Sequence, residues 1–477
     1  MLTINGLPKQ TCSGLSRREL LQIGGAGLLG LCLPKVLAAE EAAASFTKGK
    51  AKSVIFLFLF GGPSQLETFD MKPDAPSEIR GPFRPIQSRT PDLLISEHLE
   101  RLAKISDKFG VIRTMTHSFN DHSGAGHYIQ TGKRWHIPIG AGFNATPEDW
   151  PSMGSVVEYL SRRAPGGLAH EMPSAVVVPN SLGRLQEIGG LRRPGEYAGW
   201  LGRGFDPMTT VIDKRDKTDN PYWRDCSDEE LTFQIEGLSP LVPVARIRER
   251  AGLLEQFEAV RRGLDAGGAD ALDIHRKRAL ALVASDQAGK ALRIGLESDR
   301  MRDRYGRHLF GQSCLMARRL VEAGTRFVTV HYDCVDGYSW DSHRNSDDVR
   351  DHLLPTFDQA CAALLTDLDE RGLLDETLVV AMGEMGRTPV PSKNWGRGHW
   401  STCFPCLLAG GGIRGGIVYG QTDRKAEYPT EHPVTPEDLA KTIYWALGID
   451  PELVLTNREG RPVPIVESGK PLVNLFG

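Results

Sequence analysis

FDQACAALLTDLDERGLLDETLVVAMGEMGRTPVPSKNWGRGHW, residues 357–400, is the stretch whose reading decides the fold. It reads as the end of a helix over 352–371, a turn, and a continuous apolar strand over 378–382. Glu384, Arg387 and His399 then follow just past the strand's end. In an open α/β sheet, ligands bind outside the carboxyl ends of the strands. One stretch therefore indicates both an architecture and the place of a site.

Outward from it the same alternation recurs. SVIFLFLF at 53–60 is an apolar run closed by Gly61-Gly62-Pro63, the pattern of a strand buried on both faces. Further strands are expected from Val111-Ile112, over 174–179, over 326–331 and over 406–408, and helices over 98–108, 151–163 and 435–447. Asp121 or Ser123 can cap a helix running through Tyr128 and Ile129. Strands alternating with helices predict an α/β fold, a mainly parallel sheet sandwiched by helices. Residues 183–322 interrupt the alternation. They begin as a Gly- and Arg-rich excursion and continue as amphipathic helices over 243–265 and 271–322, a largely helical insertion or cap.

The N-terminus reads differently. Ser16-Arg17-Arg18-Glu19-Leu20-Leu21, a short apolar stretch over 23–33 and a small-residue end at Ala38-Ala39 describe a twin-arginine export signal. The apolar stretch is too short to span a bilayer. The expected division is a signal over 1–38, a linker over 39–52, and one domain over 53–477. The mature chain is then periplasmic or secreted, with the twin-arginine machinery as its export partner and no transmembrane segment. Cleavage moves the formal charge from -3 to about -6, because Lys9, Arg17, Arg18 and Lys35 leave with Glu19. A mildly acidic chain excludes general nucleic-acid binding. The cysteines form no disulfide framework. Cys403-Phe-Pro-Cys406 reads as part of a buried strand, with a redox pair as the alternative.

Three clusters of ligand-type residues follow expected strands. One holds His117, Asn120, Asp121, His122, Ser123 and His127; another His331, Asp333, Asp336, Asp341 and His343; the last Glu384, Arg387, Arg397 and His399. A parallel sheet gathers the carboxyl ends of its strands, so the clusters should converge. Imidazole mixed with carboxylate suits Zn, Mn or Fe better than Ca, in a mono- or dinuclear site. The competing reading makes Glu384 and Arg387 a structural ion pair and leaves most other histidines in hydrogen-bonding or solvated roles.

These residues lie within longer stretches that resemble a known family. The carriers include FLFGGPSQLETFDMKP (58–73), NDHSGAGHYIQTG (120–132), GWLGRGFDPM (199–208), WDSH (340–343), LLTDLDERGLLDETLVVAMGEMGRTP (364–389), GRGHW (396–400) and PVTPEDLAKTIYWALGID (433–450). The chain resembles the exported family called domain of unknown function 1501, within the alkaline phosphatase/sulfatase-like superfamily. That resemblance implies an alkaline-phosphatase-like fold and a metal-assisted transfer of phosphoryl or sulfuryl groups. It implies Asp341, His343, Glu384 and His399 as metal ligands, joined by His117 and His127, for a divalent ion such as Zn or Mn. His122 or Ser123 would be base or nucleophile, and Arg387 would neutralise the anion.

The sequence departs from the superfamily pattern at three places, and from the family's usual GRDHW by Gly398 in place of an acid. Gly61-Gly62 stands where metal-binding aspartates are expected, with Glu67 or Asp70 as substitutes. No cysteine occupies a formylglycine position, and Met385 replaces a ligand beside Glu384. The expected function is an exported, metal-dependent hydrolase of phosphate or sulfate esters, small or polysaccharide, without formylglycine chemistry. The alternative is a non-catalytic ligand-binding or assembly protein on an enzyme-derived fold.

Overall fold

The computed structural model describes residues 49–138, 144–164, 172–185, 192–235, 286–334 and 339–477. The expected export signal, most of the linker and the expected helix over 243–265 lie outside the described residues, as do His170, His275 and Asp336.

Nine strands form the main sheet: β1 (Ser53–Phe58), β2 (Phe109–Met115), β3 (Ala175–Val178), β4 (Met208–Val211), β5 (Gln234–Ile235), β6 (Phe327–His331), β7 (Thr377–Met382), β8 (Phe404–Ala409) and β9 (Val418–Tyr419). Their spatial order is β9-β2-β8-β7-β1-β6-β3-β4-β5. Parallel pairing runs from β7 through β1, β6 and β3 to β4, and β9 is parallel to β2. β8 is antiparallel to both its neighbours, and β5 is antiparallel to β4. The sheet is therefore mixed and mostly parallel, as the alternating sequence pattern predicts.

Five principal helices cover it: α1 (His122–Thr131), α2 (Met153–Arg163), α3 (Leu309–Glu322), α4 (Leu354–Glu370) and α5 (Pro436–Ala446). β1 shows why both faces must be covered. Ile55, Leu57 and Leu59 pack into the core under α3 and α4, while Val54, Phe56, Phe58 and Phe60 pack into the core under α1, α2 and α5. Each such side chain contributes roughly 1.5–3 kcal/mol by leaving water, so a strand apolar at every position is stable only inside a sandwich.

Local chemistry ends the helices where it should. Asp121 caps α1 through Gly124 N–H at 2.7 Å, and Gly132 closes it in the left-handed conformation at φ 68°. Thr435 and Asp438 form a capping box on α5, with Pro436 as its first residue. Two expectations change. The helix expected over 98–108 is a short helix Glu100–Ala103 followed by a 3-10 turn Ser106–Lys108. The long helix expected over 271–322 is, in its described part, broken into Asp286–Ala291, Asp299–Tyr305 and α3. Ser298 starts a new helix by accepting from Met301 N–H, and Gly306 at φ 91° ends it. The described part of the 183–322 excursion also adds β4 and β5 to the sheet edge. No helix among the described residues is long and apolar enough to cross a membrane.

Candidate metal centre

β1 and β7 lie side by side and end together, Phe58 opposite Met382. The loop after β1 turns at Gly61 (φ 112°) and Gly62 (φ 78°), conformations that favour glycine. Space matters as much as conformation. A Cβ on Gly61 would stand 2.5 Å from Asp341 N, and one on Gly62 2.6 Å from Met385 O. The backbone thus fills the place where the sequence pattern leads one to expect side-chain ligands. Gly61 N–H instead donates to both oxygens of the Glu384 carboxylate, at 2.9 and 3.1 Å.

Glu384, wholly buried, also accepts from His122 Nδ1 at 2.5 Å. His122 opens α1, which aims its ring across the strand ends. With Nδ1–H held by Glu384, its Nε2 faces Asp341 Oδ1 at 3.2 Å, outside hydrogen-bond geometry and with no other partner. Three further nitrogens meet the same oxygen. His343 Nε2 lies 2.9 Å away, His399 Nε2 3.1 Å and Arg387 Nη2 2.6 Å. The His343 and His399 Nε2 atoms are 2.9 Å apart. His399 Nδ1–H donates to Asn120 O at 2.7 Å, which leaves the Nε2 lone pair pointing into the cluster.

The charges reinforce one another. Burial alone would strip the proton from His122, but Asp341 and Glu384 outweigh it and raise its pKa to about 9. Burial would raise Asp341, but His122, His343 and His399 hold its carboxyl well below the usual range.

These donors fit a divalent ion. Ligand atoms of His122, Asp341 and His399 all lie within 4.8 Å of one another, and His343 Nε2 lies 2.9 Å from both Asp341 Oδ1 and His399 Nε2. Ligands at about 2.0 Å from a tetrahedral ion stand roughly 3.3 Å apart, close to the separations around Asp341 Oδ1. His122–Glu384 and His399–Asn120 supply the outer hydrogen bonds that orient metal-ligating imidazoles. Glu384 has the position of such an orienting group.

Other residues named from the sequence lie elsewhere or are already engaged. His117 donates from Nε2 to Glu384 O at 2.7 Å and accepts Phe119 N–H at Nδ1, so both ring nitrogens are used. Burial lowers its pKa to about 4 and keeps it neutral. His127 points to the far side of α1, where Nδ1 faces Lys133 O at 3.0 Å and the ring stacks on Trp135. Arg387 is fully buried. It donates to Gly61 O, Gly62 O and Arg397 O besides pairing with Asp341, so it locks loops together, and Asp341 takes the place of Glu384 as its ionic partner. Glu67 pairs with Arg397, and Asp70 with Lys72 and Arg113, away from the cluster. His331 and Asp333 bond Asn180 O and Gly183 N, one strand over. Met385 packs against Phe119, Ala125 and Tyr128. Cys403, just before β8, and Cys406, within it, are both buried, and burial pushes both thiols up.

Ser123 is 2% exposed in the first turn of α1, with Arg193 Nη1 3.4 Å from its Oγ. The Arg193 guanidinium lies over Phe60, whose ring is 5.5 Å from that of His122. Arg193 was not legible as a site residue, because it sits in an Arg-rich stretch without periodicity. Gly195 explains its delivery: at φ 106°, with room for no Cβ against His127 Cα at 2.7 Å, it seats this segment directly on α1.

No curated protein matches the sequence. Among solved structures, the chain is similar to i-CgsB in complex with k-i-k-neocarrahexaose (10% identity, TM-score 0.41, covering 84% of this chain and 72% of that one). It is similar to the sulfatase PsFucS1 from Pseudoalteromonas sp. (14%, 0.37, 88% and 72%). A third is the alkaline phosphatase from the Antarctic bacterium TAB5 (13%, 0.31, 79% and 96%). At these TM-scores the likenesses carry no functional weight. Residues 51–476 match the family described as protein of unknown function, DUF1501, and the chain belongs to that family.

Proposed function

We propose that this protein is an exported, metal-dependent hydrolase of phosphate or sulfate esters, with a mononuclear centre. The observation that carries the reading is the convergence of three imidazoles on Asp341 Oδ1 at the carboxyl edge of β1 and β7. Asp341, His343 and His399 would hold the ion. A bound Zn or Mn supplies Lewis acidity toward an ester oxygen and makes a water more acidic. His122, its Nδ1–H fixed by Glu384, presents Nε2 to the remaining side and can hold or return a proton there. Ser123 follows His122 in the first turn of α1, with Arg193 Nη1 3.4 Å from its Oγ. A guanidinium at a helix N-terminus favours the oxyanion of an ester. Arg387 supports Asp341 and keeps the Gly61-Gly62 turn in place. The twin-arginine signal supports synthesis for the periplasm or exterior, with small or polysaccharide esters as substrates.

Metal analysis of purified protein and a panel of phosphate and sulfate esters test this. One equivalent of metal and hydrolysis lost in His399→Ala are expected. No stoichiometric metal, together with unchanged hydrolysis in His399→Ala, would end the reading. His122→Ala separates its two roles: unchanged metal affinity with lost turnover marks a proton carrier, and lost affinity marks a fourth ligand. The near-complete burial of Ser123 favours the competing reading, a non-catalytic ligand-binding or assembly protein. Turnover above blank that disappears in Glu384→Ala would sink it.

A further inference from the structure

His343 stands on a loop and His399 on a two-residue strand paired with Gly386–Arg387, yet their Nε2 atoms lie 2.9 Å apart. Besides that strand pairing, the segment before His399 is laced to the segment around His343 through the backbone. Arg397 N–H donates to Ser342 O at 3.0 Å, and Ser346 N–H to Asn394 O at 3.3 Å. Ser392 Oγ–H reaches His343 O at 3.3 Å and Gly396 O at 2.9 Å. At the centre of this lacing Gly396 lies directly on His343. A Cβ there would stand 2.0 Å from His343 O, 2.5 Å from His343 C and 3.0 Å from Arg344 C. All three are backbone atoms, so no side chain can swing aside to make room.

The conformation of Gly396 does not require glycine. Its φ of -64° and ψ of 149° are extended backbone open to any residue. Close approach is the remaining reason for the missing side chain. The two residues before it are held in the left-handed region, Asn394 at φ 60° and Trp395 at φ 65°. For a tryptophan that conformation is strained, and it persists where surrounding contacts over-determine it. The segment 392–397 is therefore pinned in one shape against 342–346.

We infer that Gly396 is a positioning residue for the metal centre: its lack of a side chain lets the loop carrying His399 seat on the backbone of His343, and that seating sets the separation of the two imidazoles. The inference rests on the metal-centre reading above. Methyl-sized displacement at Gly396 moves His343 by more than its bond to an ion tolerates, while the rest of the sheet is untouched.

Gly396→Ala tests it in the full-length protein, with Zn and Co(II) as probes. Metal-free protein should melt within a few degrees of wild type. Zn affinity, measured by competition with a chromophoric chelator, should fall tenfold or more. The visible absorption of the Co(II) form should shift and change intensity as a nitrogen ligand is lost, a signature that a merely structural role does not move. Gly398→Ala is the control: its Cβ would meet only the Thr388 side chain, at 3.3 Å, so Zn affinity should remain that of wild type. Gly396→Ala binding Zn within twofold of wild type, with an unchanged Co(II) spectrum, overturns the inference. If Gly396→Ala does not fold, Ser392→Ala removes, from an exposed position, the hydroxyl shared between His343 O and Gly396 O and should weaken Zn severalfold; unchanged affinity there overturns it equally. Wild-type protein that binds neither ion ends the metal-centre reading itself, and the inference with it. Metal binding by wild type that persists in Gly396→Ala ends the inference alone.

Discussion

The Glu384 carboxylate receives the Gly61 N–H across both oxygens and the His122 Nδ1–H on one of them, so it has little left for an ion. Glu384→Ala should leave the buried Gly61 N–H without its acceptor, at a cost of about 1–3 kcal/mol, and free the His122 ring from the orientation in which it can carry a proton, so that turnover falls. Urea unfolding and ester-hydrolysis rates check the two effects separately. Glu196 behaves differently. It accepts Leu182 N–H at 3.1 Å, and burial raises its pKa from 4.5 to about 8, with nearby Asp333 acting in the same direction. A raised carboxyl contributes stability that is full below its unfolded pKa and is lost as pH climbs through its folded one. Wild-type stability should therefore decline between about pH 5 and pH 8, by on the order of a few kcal/mol from this group. Glu196→Gln should flatten that slope in melting temperatures recorded from pH 5 to 9; an unchanged slope would assign it elsewhere.

Among the elements, α1 links sequence to site most directly. Asp121 caps it through Gly124 N–H, and the next residue is His122. Asp121→Ala should cost about 1 kcal/mol and disturb the His122 ring, read as a lower melting temperature together with reduced ester turnover. α4 does purely structural work. Its Leu364 is fully buried in the core that α4 shares with α3 and the sheet, and Leu364→Ala should cost about 2–5 kcal/mol by chemical denaturation while leaving Zn affinity unchanged. Helix α4 and strand β7 were legible in LLTDLDERGLLDETLVVAM because their apolar spacing is local. The break at Ser298–Gly306 was less so, since a capping serine inside an amphipathic run looks like one more polar face residue.

In the whole molecule, the candidate centre joins segments far apart in sequence, around His122, Asp341, Glu384 and His399. An ion bound by these loops should stabilise the native state by mass action, about 2.7 kcal/mol at a hundredfold excess over Kd. A chelator should therefore lower the melting temperature of wild type and leave that of His399→Ala unchanged. By itself the sequence determined the α/β architecture, the buried central strands, the export signal as an expectation, and the sheet edge where ligand-type residues gather. It could do so because strand and helix periods, caps and glycine turns act over a few residues. Only the tertiary structure decided which of those residues meet. It sent His127 to the far side of its helix, occupied both nitrogens of His117, turned Glu384 and Arg387 into supports for His122 and Asp341, and brought Arg193 to Ser123. Those outcomes depend on which hydrogen bonds and close backbone approaches are satisfied once the sheet has formed, and no local pattern encodes them.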